Sequence, residues 1–180
     1  VAMLLAAARP DLARSLVVID GASEVDALLR AAVESWKAAA LADPRLFYKT
    51  ILPWNYSAAY IAANGEALAR RADAVAALPR EWFESFVRLC DAFLAIDATP
   101  LLGRITCPTL VLVGGRDILK HPGFARVIAD GIPGARLGVV EGAGHAVVIE
   151  RPEAILAELE PFLDEVEGRG GRAGPAKRKP

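Results

Sequence analysis

The sequence predicts an α/β fold built on a short parallel sheet, and one repeated pattern carries most of that prediction. Aliphatic runs without polar alternation occur at 15–20 and 109–113, and a weaker run occurs at 136–140. Such runs are typical of strands that are buried on both faces, as in parallel sheets flanked by helices. Helical patterns separate the second and third runs and follow the third, which is the alternation expected of an α/β protein.

Three predicted helices lie beside this sheet. The first occupies 1–9 and ends before Pro10, because proline cannot continue a helix. The second spans 122–131, where a proline can open the helix and a glycine can close it. The third opens at Pro152 and continues to about Gly168. Together with the three strands, they account for both ends of the chain.

The middle of the chain, 23–98, contains no convincing strand and is predicted to be helical. Ser23 with Asp26 resembles a capping box that opens a helix through Trp36, and an alanine-rich helix is expected over 64–78. A wide apolar stripe follows at helical spacing and is predicted to belong to the core. Its members are Trp82, Phe86, Leu89 and Phe93, flanked by Phe83, Cys90 and Leu94. So much helix between two parallel strands predicts a cap over the carboxyl edge of the sheet.

Composition and charge narrow the classes of function. The 180 residues are 54% hydrophobic and 24% charged, which fits one globular domain. The formal net charge is −1, and 169–180 holds five basic residues and no acid, so the remainder carries −6. That balance disfavours a nucleic-acid surface, and 169–180 is predicted to be a disordered basic tail. The apolar start, 1–8, is too short to span a membrane. No nucleic-acid or membrane partner and a cytoplasmic location are therefore expected.

The two cysteines are predicted to be structural, and the possible metal ligands of the sequence do not indicate a metal site. Cys90 and Cys107 each lie in an apolar run, which favours buried free thiols over a disulfide framework. Histidine, cysteine and carboxylate residues do not recur at the spacings of a metal site. No metal and no cofactor are expected.

Two segments that could carry chemistry come directly after predicted strands. Asp117 follows the strand 109–113, and His145 follows the strand 136–140. Carboxyl ends of neighbouring parallel strands share one sheet edge, so these side chains are predicted to lie about 2.6–3.2 Å apart. A carboxylate beside an imidazole fixes its tautomer and stabilises the imidazolium. The alternatives are a turn or capping role for Asp117 and a structural role for His145.

The motifs around these two residues resemble those of a known family. Gly114-Gly115-Arg116-Asp117 and Gly142-Ala143-Gly144-His145, the latter followed by Glu150-Arg151-Pro152-Glu153, are similar to the acid and histidine motifs of α/β-hydrolases. The run 105–113 is typical of that family's penultimate strand, and 1–20 resembles the helix and strand after its nucleophile elbow.

The resemblance implies a fold and a division of the chain. The chain is expected to be the C-terminal part of a doubly wound α/β-hydrolase sheet, with three strands and an inserted helical cap. The partial core would comprise 1–22 and 99–168, and the cap would comprise 23–98. Cap length and the segment 53–57 look similar to enol-lactonase-like members.

The resemblance also assigns roles. Asp117 would be the orienting acid and His145 the general base in the hydrolysis of an ester or lactone by a serine nucleophile, without a cofactor. However, the chain has no Gly-x-Ser-x-Gly, because none of its five serines has glycine two residues away on both sides. The nucleophile is expected upstream of Val1, and the chain alone is expected to be inactive. A natural short protein that has lost catalysis is the rival interpretation.

Substrate contacts and reaction subtype stay open at this point. Trp54, Tyr56 and Tyr60 have irregular spacing, and by resemblance they would line the pocket of a small-molecule substrate, although packing of cap on core explains them equally well. A dehalogenase, an epoxide hydrolase or a C–C hydrolase would use the same scaffold with a different nucleophile. A non-catalytic small-molecule-binding module is an alternative from another class.

Overall fold

The computed structural model describes residues 1–168, so the predicted basic tail 169–180 lies outside the described residues. Its sheet has three parallel strands in the order β1 (Leu16–Ile19), β2 (Thr109–Gly114) and β3 (Arg136–Val140). The predicted α/β class and the three-stranded parallel sheet are therefore confirmed.

Helices make up most of the remaining described chain. In chain order they are α1 (Ala2–Ala8), α2 (Ala27–Ala42), α3 (Pro44–Asn55), α4 (Ala58–Ala63), α5 (Gly65–Ala76), α6 (Arg80–Leu94), α7 (Pro122–Gly131), α8 (Val147–Glu150) and α9 (Pro152–Val166). A 3₁₀ helix, Thr99–Arg104, precedes β2.

The central strand β2 is buried on both faces, which explains its uninterrupted aliphatic sequence. Val111 and Val113 point into one apolar cluster, which includes residues of α1, α7 and the 3₁₀ helix. Leu110 and Leu112 point into a second cluster, formed with α8 and α9. Because side chains alternate along a strand, helices on both faces demand apolar residues at every position.

Helices α2–α6 form a separate helical segment, 27–94, with its own apolar cluster. Its centre is Phe47, which is 1% exposed and makes edge-to-face contacts with Phe83 and Phe86 at centroid distances of 5.8 and 4.8 Å. The same cluster includes Leu119 and Phe124 from the sheet side of the molecule. This shared cluster joins the helical segment to the region that follows β2.

Two sequence predictions in this segment were wrong. Helix α2 begins after Asp26, whose Oδ1 accepts a hydrogen bond from the Leu29 amide at 2.7 Å. Ser23 does not cap it, and its hydroxyl instead pairs with that of Thr99 at 2.8 Å. Serine and aspartate cap helices about equally well, so residue preference could not choose between them.

The assignment of the apolar stripe of α6 to the core was wrong for two of its four members, Trp82 and Leu89. Leu89 is 70% exposed and Trp82 is 41% exposed, whereas the flanking Phe83, Cys90 and Leu94 are buried. Both sets recur at helical spacing, so periodicity showed the helix but could not show which set faces the other helices. The flanking set is buried in the segment's cluster, and Phe86 and Phe93 of the predicted stripe are partly buried and pack against that cluster.

Candidate functional site

Asp117 and His145, the predicted acid and base, lie together at the carboxyl edge of the sheet. Asp117 Oδ2 lies 2.8 Å from His145 Nδ1. The Asp117 side chain is fully buried, and that of His145 is 18% exposed. A carboxylate only accepts hydrogen bonds, so it selects the tautomer that carries its proton on Nδ1. Nε2 is then the ring nitrogen that is free to accept a proton.

Backbone donors hold Asp117 in position for this bond. Its Oδ1 accepts hydrogen bonds from the amides of Leu119 and Lys120, both at 2.8 Å. Both carboxylate oxygens are therefore occupied, and the side chain cannot rotate without losing three hydrogen bonds. This fixed carboxylate orients the imidazole of His145.

A glycine allows the two loops that carry the pair to meet. A Cβ atom on Gly114, the last residue of β2, would contact the carbonyl oxygen of Gly144 and lie 2.6 Å from that of Ala143. Both obstacles are backbone atoms, so they cannot move aside cheaply. The close approach also permits the Arg116 amide to donate to the Ala143 carbonyl at 2.8 Å.

A second buried carboxylate, Asp20, lies beside the pair at the end of β1. It has a left-handed backbone, with φ of 46°, and its Oδ1 accepts a hydrogen bond from the Gly114 amide at 2.9 Å. Burial raises the pKa of Asp20 to about 6; the Gly114 hydrogen bond opposes that shift, and the charge of Asp117 adds to it. Asp20 therefore takes up its proton at about pH 6, well above the range of an ordinary aspartate.

Asp20, Asp117 and His145 each place one potential ligand atom within 4.8 Å of the others, so they could in principle hold a cation. Both oxygens of Asp117 already accept hydrogen bonds, however, and one oxygen of Asp20 does so too. A cation would compete with Nδ1–H for Asp117 Oδ2. The hydrogen bonds that these carboxylates already accept therefore fit a hydrogen-bonded network better than a metal site.

Replacing Asp20 by asparagine is expected to stabilise the protein at pH 8 but not at pH 4. The folded-state pKa of Asp20 is raised to about 6, so its contribution to stability is complete below about pH 4 and is lost as pH rises through 6. Asparagine resembles the protonated acid at every pH and should gain about 1–2 kcal/mol at pH 8 after allowance for solvent screening. Thermal melts between pH 4 and 8 measure the difference, and equal gains at both ends would contradict the assignment.

Glu150 joins the histidine loop to the helical segment. Its Oε1 accepts hydrogen bonds from the amides of Ser57 at 2.8 Å and Gly144 at 3.2 Å, and its Oε2 accepts one from the Ser57 hydroxyl at 2.6 Å. The Ala146 amide donates to the carbonyl of Asn55 at 2.6 Å. Glu150, Ser57 and Gly144 are called the Glu150 clamp below. The clamp holds the turn between α3 and α4 against the residue that precedes His145.

His145 opens onto an apolar cavity of about 330 Å³. The helical segment supplies most of the walls, including Leu29, Val33, Trp36, Phe86 and Phe93. Lys120 also lines the cavity, with its ammonium nitrogen 5.1 Å from the centre of the Phe93 ring. Burial lowers the pKa of Lys120, and the charges of Asp117 and Asp20 oppose that shift. The cavity is the space in which a small molecule could reach His145.

The three aromatic residues predicted to bind substrate lie outside the walls of this cavity. Trp54 packs edge-on against Trp36 at 6.4 Å, behind the wall, and Tyr56 stacks on Tyr60 at 5.1 Å. The two tyrosines line other cavities beside Ser57. Substrate contact by these residues stays a prediction.

The remaining histidine and the cysteines have structural surroundings. His121 Nδ1 accepts a hydrogen bond from the Gly123 amide at 3.1 Å and caps the start of α7. Cys90 and Cys107 are buried free thiols, as expected, and burial raises the pKa of Cys90 to about 11.

Sequence reasoning missed four residues that contribute to this region. Asp20 had the same signal as Asp117, a carboxylate directly after a predicted strand. Lys120 lies three residues after Asp117, where its amide completes the turn. Glu150 and Ser57 gave no local signal, because they are 93 positions apart and meet only in the folded chain.

No helix among residues 1–168 is both long and apolar enough to cross a membrane. Among curated proteins, the chain is 30% identical over 169 residues to RutD of Azorhizobium caulinodans, a proposed carbamate hydrolase, covering 93% of this chain and 63% of that protein. It is 36% identical over 83 residues to a pimeloyl-[acyl-carrier protein] methyl ester esterase of Neisseria meningitidis, covering 44% of this chain and 27% of the esterase.

Among solved structures, the enol-lactonase of Burkholderia xenovorans LB400 matches with a TM-score of 0.75 and 24% identity, over 90% of this chain and 60% of the enzyme. The chain therefore spans about 60% of the length of proteins that it matches along most of its own length. The sequence profile of the Alpha/beta hydrolase family matches residues 1–159. On this evidence the chain belongs to the alpha/beta hydrolase family, whose acid and histidine motifs its sequence resembles.

Proposed function

We propose that this chain supplies the acid and the base of a nucleophile–histidine–aspartate triad that hydrolyses an ester or lactone. The observation that carries the proposal is the buried hydrogen bond from His145 Nδ1 to Asp117 at the mouth of an apolar cavity. The proposed nucleophile is a serine in a part of the protein outside these 180 residues, because none of the five serines in the chain lies in a Gly-x-Ser-x-Gly sequence.

In this proposal, His145 transfers protons in both halves of the reaction. Its Nε2 takes the proton of the serine hydroxyl as the serine oxygen attacks the acyl carbon, and Asp117 stabilises the imidazolium. His145 then returns the proton to the departing alkoxide, which leaves as an alcohol. In the second half, water gives its proton to His145 and attacks the acyl-enzyme, releasing the acid and restoring the serine.

We also propose that the helical segment acts as a cap that covers the acyl chain of the substrate. Residues of α2 and α6 form the apolar walls of the cavity, and an apolar wall excludes water from the reacting bond. The Glu150 clamp links this segment to the histidine loop, so the position of the cap and that of His145 are coupled. The proposed division is 23–98 for the cap and 1–22 with 99–168 for the partial core.

The identity of the nucleophile distinguishes this reaction from others that the same scaffold could catalyse. An aspartate at that position would favour dehalogenation or epoxide opening, and a serine would fit esters, lactones, carbamates and C–C bonds next to carbonyls. A non-catalytic binding module is the second candidate, and the observation that favours it is the lack of a nucleophile elbow within the sequence.

The gene sequence before the codon for Val1 tests the proposal at once. We expect a strand followed by Gly-x-Ser-x-Gly within a few tens of residues of Val1, with a glycine-containing oxyanion segment further upstream. An aspartate in place of the serine would move the assignment to the other hydrolases. A gene that supplies neither residue would favour the binding module.

A further inference from the structure

The walls of the cavity beside His145 carry one flexible cation and no acidic side chain. Lys120 lines the cavity together with apolar residues, Asn55 and His145. Within residues 1–168, the Lys120 ammonium makes no hydrogen bond or ion pair, and it lies over the face of the Phe93 ring. An ammonium group carries three donors and seeks oxygen acceptors, so this one lacks the partners that it binds best.

The other polar side chains that line the cavity are those of Asn55, Trp36 and His145. The side-chain amide of Asn55 donates to the carbonyl of Ile51 at 2.8 Å. The indole nitrogen of Trp36, another residue that lines the cavity, is buried without a hydrogen-bond partner. A ligand that enters this space therefore meets an apolar surface and the Lys120 ammonium, and a negatively charged oxygen on the ligand would supply the acceptor that this ammonium lacks.

The main chain of Lys120 is fixed, so its side chain starts from a defined point. Its amide donates to Asp117 Oδ1 at 2.8 Å, so the Lys120 main chain lies beside the Asp117 carboxylate. The side chain then reaches across the ring of Phe93 within the cavity. The cation therefore shares one cavity with His145, and the charges of Asp117 and Asp20 act on it.

We propose that Lys120 is a specificity-determining residue that binds a carboxylate on the substrate, so that the preferred substrates are esters or lactones of acids that carry a second, anionic group on an apolar chain. This inference rests on the proposed function of the same site. The carboxylate takes no part in bond making: water adds across the acyl C–O bond, and the second carboxylate stays bound to Lys120 throughout.

A purely electrostatic role is the competing explanation, because Asp117 and Asp20 both act on the charge of Lys120. A lysine that only balanced those carboxylates would alter His145 and affect every substrate alike. A lysine that binds substrate would affect anionic substrates alone. The two explanations therefore differ in how activity depends on the charge of the substrate.

The test compares two chromogenic esters with the complete protein: p-nitrophenyl hydrogen glutarate, which is anionic, and p-nitrophenyl methyl glutarate, its neutral counterpart. We expect kcat/KM to favour the anionic ester by about 10- to 100-fold. Lys120→Met should abolish that preference by lowering kcat/KM for the anionic ester at least tenfold more than kcat/KM for the neutral ester. Lys120→Arg should retain most of it, and Lys49→Met, an exposed lysine beside a different cavity, should leave it unchanged.

Equal loss on both esters, or an unchanged preference in Lys120→Met, would overturn the proposal. Thermal melts of Lys120→Met and Lys120→Arg separate a folding defect from loss of binding. If the wild-type protein hydrolyses neither ester, the proposed function fails, and a binding measurement still decides the role of Lys120. Tryptophan fluorescence should then show hexanoate binding at least tenfold more tightly than hexanamide, with that difference absent in Lys120→Met; equal affinities in the wild type would reject the inference.

Discussion

Replacement of His145 by alanine is expected to lower kcat/KM of the complete protein for p-nitrophenyl esters by about 10⁴-fold or more. The loss follows because, in the proposed mechanism, the imidazole of His145 carries the proton between the nucleophile, the leaving group and water. We expect the variant to fold, because the His145 side chain is partly exposed and its hydrogen bond to Asp117 orients the imidazole and is not part of the hydrophobic core. Initial rates at pH 8 compare the activity of His145→Ala with that of the wild type, and thermal melts of the same preparations compare their stability.

The other histidine of the chain provides a matched control. His121 caps α7 and has no contact with the acid–base pair, so His121→Ala should reduce stability slightly and leave kcat/KM within about twofold. Activity of His145→Ala close to that of the wild type would remove His145 from the mechanism. A similar loss in both variants would point to a folding effect instead.

Removal of the carboxylate of Glu150 is expected to destabilise the protein by about 3–5 kcal/mol. The change to alanine leaves three buried donors, two on Ser57 and one on Gly144, without an acceptor, and each such donor costs about 1–3 kcal/mol. Urea unfolding followed by far-UV circular dichroism measures the loss. Fluorescence of Trp54, which lies one residue before Asn55 in the clamped turn, should shift to the red before global unfolding.

Two variants sharpen this experiment. Glu150→Gln keeps an oxygen for the two amides, and the Ser57 hydroxyl can turn to accept from the new amide, so it should lose less stability than Glu150→Ala. Glu160→Ala changes an exposed glutamate on α9 and should stay within about 0.5 kcal/mol of the wild type. A Glu150→Ala protein as stable as Glu160→Ala would show that the clamp does not hold the helical segment.

The sheet side of the molecule could be predicted from sequence because its signals are local. A run buried on both faces, a proline that opens α7 and a glycine that closes it each depend on a few neighbouring residues. The meeting of Asp117 and His145 followed from one topological fact, that parallel neighbours end at the same edge. That prediction needed no knowledge of side-chain packing.

Other features depend on packing that the sequence does not display. The buried face of α6 is set by contact with α2 and α3, and the apolar spacing of α6 is compatible with either of two faces. Glu150 finds Ser57 only when the helical segment lies on the histidine loop. Asp20 could have been proposed from its position after β1, whereas its raised pKa depends on the burial and charge that the fold creates around it.

Covalent trapping of the nucleophile tests the central claim most directly. The complete protein and residues 1–180 alone are each treated with a fluorophosphonate, which phosphonylates an activated serine, and the modified residue is located by peptide mass spectrometry. The account predicts one labelled serine outside residues 1–180, little label in His145→Ala, and none on the chain expressed alone. Label on Ser57 or any other serine within the chain, or equal labelling of the wild type and His145→Ala, would contradict it.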